Sequence, residues 1–426
     1  MKNLPLHWKI IIGMFLGIFF GLGLSFFPSG KIFISNFIKP FGTIFINLLK
    51  LIAIPLILAS LIKGVSDLKD ISKLSKMGGR TIITYMFTTV IAVIIGLVLV
   101  NLIKPGNSIS NETRQELIEA YSSNTEEKRE AANKQKSAGP LQALEDIVPD
   151  NVFKSFTSNK NMLQVIFFAL FFGIGMILLP EKKVSPVKEF IDSLNTIILK
   201  LIDLIMLSAP YGVFALLATL VVEAPSLELF AALGLYSITL LAGLTLMILV
   251  YAIIVKLLTG KPPGEFFKGI APAQLLAFST SSSAATLPVT MECVEKNLGI
   301  NKEVSSFVLP IGATINMDGT SLYQGVAAVF IAQAFGMDLS LTAQLGIILT
   351  ATLASIGSAA VPGAGMVMLV IVLAQAGIPE AGLALIFAID RPLDMLRTTV
   401  NVTGDATVAM AVAASEGKLH EPEPED

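Results

Sequence analysis

"AFSTSSSAATLPVTM", residues 277–291, is a run of small and hydroxylated side chains with Pro288 near its end. Its neighbours are long and apolar, and a straight lipid-facing helix rarely needs so many serines and threonines. Backbone that departs from a helix at membrane depth persists only where protein or a water-filled cavity satisfies its amides and carbonyls, so the run predicts a re-entrant hairpin. "ASIGSAAVPGAGMVM", residues 354–368, repeats the theme around Pro362 and predicts a second hairpin.

Composition places these runs in a bilayer. Of 426 residues 54% are hydrophobic and only 15% charged, against roughly a quarter charged in an ordinary soluble domain. Apolar stretches near 10–28, 33–62, 81–103, 161–179, 190–221 and 229–258 each approach or exceed the roughly 20 residues that a helix needs to cross the hydrocarbon core. The first follows basic residues, as in a signal peptide, but it is long enough to span and no clear small-residue cleavage site follows, so a retained helix is expected. Lys63, Lys69, Lys73, Lys76 and Arg80, then Lys182 and Lys183, then Lys256, Lys261 and Lys268 all fall on one side when the N-terminus is cytoplasmic. Residues 104–160 are polar, mixed in charge and poor in aromatics, which reads as an external solvated loop. The closing "HEPEPED" reads as an exposed acidic tail.

Several partner classes are disfavoured. A net charge of −2 argues against nucleic acid, and the lone Cys293 excludes an internal disulfide. His7 and His420 lie near the termini, so zinc has no ligand set.

A shorter echo links the segments that follow the two hairpins. "TINMDGT" (314–320) and "TVNVTGD" (399–405) share Thr-x-Asn-x-x-Gly, with Asn316 and Gly319 at the same offset as Asn401 and Gly404. Two copies of hairpin plus interrupted helix predict an internal repeat, and paired Gly/Pro-interrupted segments point to a transporter's binding site near the midplane.

The charges of this half are few. Between Val304 and Met337 the only one is Asp318, and between Leu339 and Pro379 there is none. "IDRPLDMLRTTVNVTGD" (389–405) then brings Asp390, Arg391, Asp394, Arg397 and Asp405 together. On a helix Arg397, Asn401 and Asp405 share one face, stepping by four. Each charge at the centre of a membrane helix costs roughly 2.5–3.5 kcal/mol on insertion scales, so these demand partners or a cavity. One reading has acids and arginines pair with each other, Asp394 with Arg391 or Arg397. The other is a site for cations and a zwitterion. Asp318, Asp405, Asn316 and Asn401 supply hard oxygen ligands suited to an alkali cation, while Arg397 suits a carboxylate and Asp394 an ammonium.

"STSSSAATLP", "ATINMDGTSLYQG", "ASIGSAAVPGAG" and "LDMLRTTVNVTGD", in this order and at these separations, resemble the dicarboxylate/amino acid:cation symporter family, the glutamate and aspartate transporters. The resemblance runs over nearly the whole chain. An archaeal member is itself a standard example of inverted-repeat architecture. The resemblance implies an all-α polytopic membrane protein of eight transmembrane helices plus two re-entrant helical hairpins with inverted repeats. It divides the chain into scaffold helices one and two (1–80), a third helix on the transport unit (81–103), the external loop (104–160) and scaffold helices four and five (161–225). Helix six (226–258), hairpin one (259–302), helix seven (303–337), hairpin two (338–378), helix eight (379–416) and the tail (417–426) follow. It also implies a homotrimer in the plasma membrane with both termini cytoplasmic, co-transporting sodium with an acidic amino acid.

Carried over by position, the resemblance places Ser281 and Ser283 of the first hairpin and the backbone of Val361 and Gly365 of the second around the substrate. Thr320 and Asn401 fix the α-carboxylate, Asp394 the amino group and Arg397 the side-chain carboxylate, with Thr398 nearby. One sodium uses Asp405, Asn401, Asn316 and the carbonyl of Gly312. A second sits under the closing hairpin on carbonyls of Thr314, Ser355, Ile356 and Ser358. A third uses Asp318 and Asn316 with Tyr85, Thr88 and Thr89, although an ordinary packed helix explains that last segment about as well.

Arg397 and Asp394 together favour an acidic amino acid over a neutral one or an amine-free dicarboxylate, without separating aspartate from glutamate. Gln324 stands where the mammalian glutamate transporters carry an acid linked to proton and potassium coupling, and a glutamine cannot titrate. The family's further arginine is missing, since Ser281 and Met395 hold its two usual places. Arg391, one turn away from Met395, is either its substitute or the partner of Asp390. Competing classes are a passive ion channel and an intramembrane aspartyl hydrolase built on Asp318 and Asp405, the latter without the Tyr-Asp and Gly-x-Gly-Asp motifs of such enzymes.

Overall fold

The structure, a computed structural model, describes residues 6–27, 29–67, 75–120, 148–157, 161–223, 227–356, 360 and 363–421. Among these residues no strand forms, and the one β-bridge joins Ile300 to Leu419. The long helices are α1 (Leu6–Ser25), α2 (Lys39–Asp67), α3 (Ser75–Ile103), α4 (Met162–Leu178), α5 (Glu181–Glu223) and α6 (Leu227–Thr259). Among the described residues, five helical stretches are long and apolar enough to cross a membrane: Trp8–Ser25, Gly30–Ser66, Met77–Ser108, Glu181–Thr219 and Glu228–Thr259. The expected span at 161–179 is α4, a shorter helix of 17 residues. A backbone that satisfies its own hydrogen bonds is the only open-chain solution in lipid, which is why these apolar runs are helices.

Helices α1 and α2 both pack along α5, and α4 lies against α2. Glycine spacing sets the closest of these approaches. Gly13, Gly17 and Gly21 step by four along one face of α1. They meet the backbone carbonyls of Pro210, Phe214 and Ala218 on α5, so that a Cβ at Gly17 would lie 2.5 Å from the Phe214 oxygen and one at Gly21 2.9 Å from that of Ala218. In lipid, van der Waals packing over small residues replaces the hydrophobic effect as the force between helices.

The second half holds the irregular backbone. Helices α7 (Pro263–Thr280) and α8 (Ser283–Glu292) form the first hairpin. Its tip turns on Ser281, a left-handed residue at φ +52, and Ser282, whose hydroxyl caps α8 by accepting from the Ala285 amide. Helices α9 (Lys302–Ile315) and α10 (Asp318–Ala334) follow, separated at Asn316 and Met317. The second hairpin comprises α11 (Leu341–Ile356) and α12 (Ala364–Gln375), and α13 (Leu383–Ser415) completes the bundle. The two hairpins meet where the Ser282 hydroxyl donates to the Ala360 carbonyl at 2.6 Å. Helix α13 packs on α6, α7, α9 and α10, and α3 lies along α10. This group joins the α1–α2–α4–α5 group through α13 on α5 and α12 on α2.

The echoed motif is read differently in its two copies. The first lies at a break, as expected, but α13 runs unbroken through Asn401 and Gly404. The two glycines also admit different neighbours. At Gly319 the backbone of Arg397 approaches so closely that a Cβ would lie 2.5 Å from its carbonyl oxygen. At Gly404 only side chains intrude, the Tyr251 hydroxyl at 2.6 Å and the Asn316 amide at 2.7 Å from a Cβ position. Gly404 lies in mid-helix, whereas Gly319 sits on the opening turn of α10 just after the break. The described start of the tail, His420 and Glu421, is exposed, and the chain leading to it is tethered. The backbone N–H of Asn301 donates to the Lys418 carbonyl at 3.1 Å and that of His420 to the Gly299 carbonyl at 2.8 Å, strapping this stretch to the base of the first hairpin.

Candidate functional site

One face of α13 and the start of α10 carry the site. Arg397 is wholly buried and its guanidinium is held on several sides. Nη1 donates to Asp390 at 2.7 Å and Nη2 to Asp394 at 2.8 Å, while the Tyr323 ring lies 3.7 Å below Cζ. Charge-assisted bonds and a cation–π face together fix a buried cation that water cannot reach. The second oxygen of Asp394 accepts from Arg391 at 3.2 Å and from the Gly363 amide at 3.3 Å. Two arginines and two aspartates therefore neutralise one another, the self-paired arrangement that the sequence left open. Asp390 pairs with Arg397 and Arg391 with Asp394. The cluster borders a cavity of about 330 Å³ that also touches Lys200, Asp203 and Met206 of α5.

The neighbouring predicted residues gather here in part. A Cβ at Gly365 would lie 3.1 Å from the Thr320 methyl and 3.7 Å from Arg397 Nη2, so the second hairpin's inner helix begins over both. Asn401 donates to the Thr320 hydroxyl at 3.2 Å and accepts the Gly319 amide at 2.8 Å. Thr398 turns its hydroxyl back onto the Asp394 carbonyl at 2.9 Å. Ser281 and Ser283 are buried at the tip of the first hairpin, and the Ser281 hydroxyl has no partner. Val361 and Ser358 lie outside the described residues, and Ile356 closes α11.

A second concentration of oxygens lies below, around the break before α10. Asn316 donates its amide to Asp405 at 2.9 Å and to the Asn401 carbonyl at 3.4 Å. Its own side-chain oxygen is buried with no partner. Gly312 faces the same carboxylate, since a Cβ there would stand 2.6 Å from the Asp405 oxygen. Asp318 is fully buried and accepts from Thr89 at 2.6 Å and from Tyr251 at 2.7 Å. Tyr85 donates to the Val308 carbonyl at 3.1 Å and its hydroxyl also abuts Gly312, while Thr88 donates to the Tyr85 carbonyl at 3.1 Å. Ser355 ties the end of α11 to the break, accepting from the Met317 amide and donating to the Ile315 carbonyl, both at 3.1 Å. Thr314 is exposed, with its hydroxyl on the Ile311 carbonyl at 3.0 Å.

An orphaned carbonyl oxygen beside buried carboxylates is the chemistry that a hard cation uses, because it needs oxygens without bound protons facing it. The donor set therefore fits a hard cation. Tyr251 and Tyr323 were not singled out by the sequence. Tyr251 sits in an apolar span and Tyr323 beside Gln324 in "SLYQG", and nothing in their spacing marks them as partners of Asp318 and Arg397.

The family model described as the sodium:dicarboxylate symporter family matches residues 6–415. The chain belongs to that family. As one of these symporters it is a multi-pass membrane transporter and not an enzyme, which removes the hydrolase reading of Asp318 and Asp405. It is 36% identical over 424 residues to a proton/sodium-glutamate symport protein of Geobacillus stearothermophilus, covering 99% of this chain and 97% of the relative. It is 34% identical to the proton/glutamate-aspartate symporter of Escherichia coli, covering 98% and 95%. Human excitatory amino acid transporter 3 is 39% identical over 404 residues, covering 86% of this symporter and 76% of the relative.

Proposed function

We propose that this symporter imports L-aspartate or L-glutamate together with sodium across the plasma membrane by alternating access. The observation that carries the reading is Arg397, buried and held between Asp390, Asp394 and the Tyr323 face. The Nε of this guanidinium is buried with no partner, a donor that a substrate carboxylate can take without displacing either aspartate. Asp394 would take the substrate's ammonium, and Thr320 and Asn401 its α-carboxylate, with Ser281, Ser283, Thr398, Val361 and Gly365 enclosing it. The names of the bacterial relatives, which pair glutamate or aspartate with protons or sodium, support the same chemistry.

In this reading one sodium binds at Asp405, Asn401, Asn316 and the Gly312 carbonyl. A second uses the carbonyls of Thr314, Ser355, Ile356 and Ser358, and a third Asp318, Asn316, Tyr85, Thr88 and Thr89. Energetics favour several ions over one. A tenfold gradient is worth about 1.4 kcal/mol per ion and about 100 mV adds roughly 2.3 kcal/mol per net charge. One sodium with an anionic substrate moves no net charge, whereas three offer roughly 9 kcal/mol in total. Gln324, buried with neither amide atom partnered, cannot carry a proton, so sodium drives transport without that step.

The architecture that goes with this function has eight transmembrane helices and two re-entrant hairpins in inverted repeats. Residues 1–80 and 161–225 form a scaffold, assembled as a homotrimer with cytoplasmic termini. The remaining helices and hairpins form the moving unit. Calorimetry of L-aspartate and L-glutamate across sodium concentrations tests the binding half of this reading. One of them binds with an affinity that rises steeply with sodium; affinity independent of sodium would overturn the coupling.

A further inference from the structure

Arg391, like Asp390, is a charge in this region that the family pattern leaves without a role. Its place in the fold is specific. Arg391 Nη1 donates to the same Asp394 oxygen that accepts the Gly363 amide, while Arg397 holds the other oxygen. That carboxylate is the group assigned to the substrate's ammonium, so in the empty chain both of its oxygens are engaged. An amino acid cannot reach Asp394 unless a cation leaves it.

The two arginines differ in their freedom to leave. Arg397 has a side chain with no exposure, locked on Asp390 and the Tyr323 ring; that of Arg391 is 13% exposed, with a longer bond of 3.2 Å. Arg391 also lines the cavity of about 330 Å³ against α5, whose wall is mostly apolar and includes the Lys200–Asp203 ion pair, 3.5 Å apart. The cavity gives its guanidinium somewhere to go.

Resting on the substrate reading above, we propose that Arg391 is a removable counter-ion, occupying the amino-group position of the empty symporter and swinging into the α5 cavity when an amino acid arrives. The exchange is cation for cation at one oxygen. Neither state leaves Asp394 bare, and an uncompensated buried carboxylate is what a membrane-embedded site must avoid. Arg391 is thus a positioning residue that competes with substrate, the opposite of an arginine that attracts it.

The test compares Arg391→Gln and Arg391→Lys with the wild-type chain, by calorimetry of aspartate or glutamate at saturating sodium and by thermal unfolding with and without it. Removing the competitor makes Arg391→Gln bind about tenfold tighter, equivalent to about 1.4 kcal/mol. Its empty form melts below the wild type while its loaded form melts with it, and Arg391→Lys behaves as wild type. Unchanged or weaker binding, or an equal loss of stability in both forms, overturns the proposal. Should Arg391→Gln not fold, the wild-type chain decides: with saturating substrate and sodium, phenylglyoxal modifies Arg391 faster while Arg397 stays protected, as read by peptide mass. Slower or unchanged modification of Arg391 overturns it. A wild-type chain that binds neither amino acid removes the substrate reading and this inference together, whereas wild-type binding with no gain in Arg391→Gln removes this inference alone.

Discussion

Replacing Arg397 with alanine lowers affinity for aspartate or glutamate by about a hundredfold or more. Truncating one partner of a buried, hydrogen-bonded charge pair costs roughly 2–5 kcal/mol, and here two aspartates and a substrate carboxylate lose the same donor. The loss is specific to substrate. Asp405, Asn316 and Asp318 make none of their hydrogen bonds to Arg397 side-chain atoms, so sodium still raises the melting temperature of the variant. Calorimetry at saturating sodium reads the first effect and a sodium titration of thermal unfolding the second. Full affinity in Arg397→Ala would refute the role given to this residue.

Asp405→Asn isolates the cation half. The substitution keeps a carbonyl oxygen for the Asn316 amide, which now donates to Asp405 at 2.9 Å, so the packing around Gly312 and Gly404 is preserved. It removes a full negative charge from beside the orphaned Asn316 oxygen. The sodium concentration needed for half-maximal substrate binding rises by about tenfold to a hundredfold, since a charge-assisted contact worth roughly 1.5–3 kcal/mol becomes a neutral one. Substrate affinity at saturating sodium changes far less. An unaltered sodium dependence would remove Asp405 from the cation path.

Much of the architecture was legible because lipid leaves few options. Long apolar runs had to be helices, and the Ser/Thr/Gly/Pro runs at 277–291 and 354–368 coincide with the α7–α8 turn and the segment between α11 and α12. The stripe of Arg397, Asn401 and Asp405 was readable from helical spacing alone. The pairings were not. Asp390 meets Arg397 and not Arg391, in a cluster that Tyr323 of α10 and the Gly363 amide of the second hairpin also enter. Tyr251 reaches Asp318 across 67 positions of sequence, and a tyrosine in an apolar span carries no mark of that contact. The glycines were visible as an echo, but their reasons differ. Gly319 admits a backbone and Gly404 admits two side chains, while the helix break lies at Asn316 and Met317 in one copy and is missing from the other.

The central claim is that buried oxygens and a buried arginine couple an acidic amino acid to sodium. Uptake by the purified symporter in proteoliposomes measures that coupling. With an inward sodium gradient, labelled aspartate or glutamate accumulates above its external concentration, saturates with substrate, and leaves again when the gradient is collapsed with an ionophore. Failure of both amino acids to accumulate under the gradient, or a sodium flux that neither saturates with nor requires substrate, would contradict it.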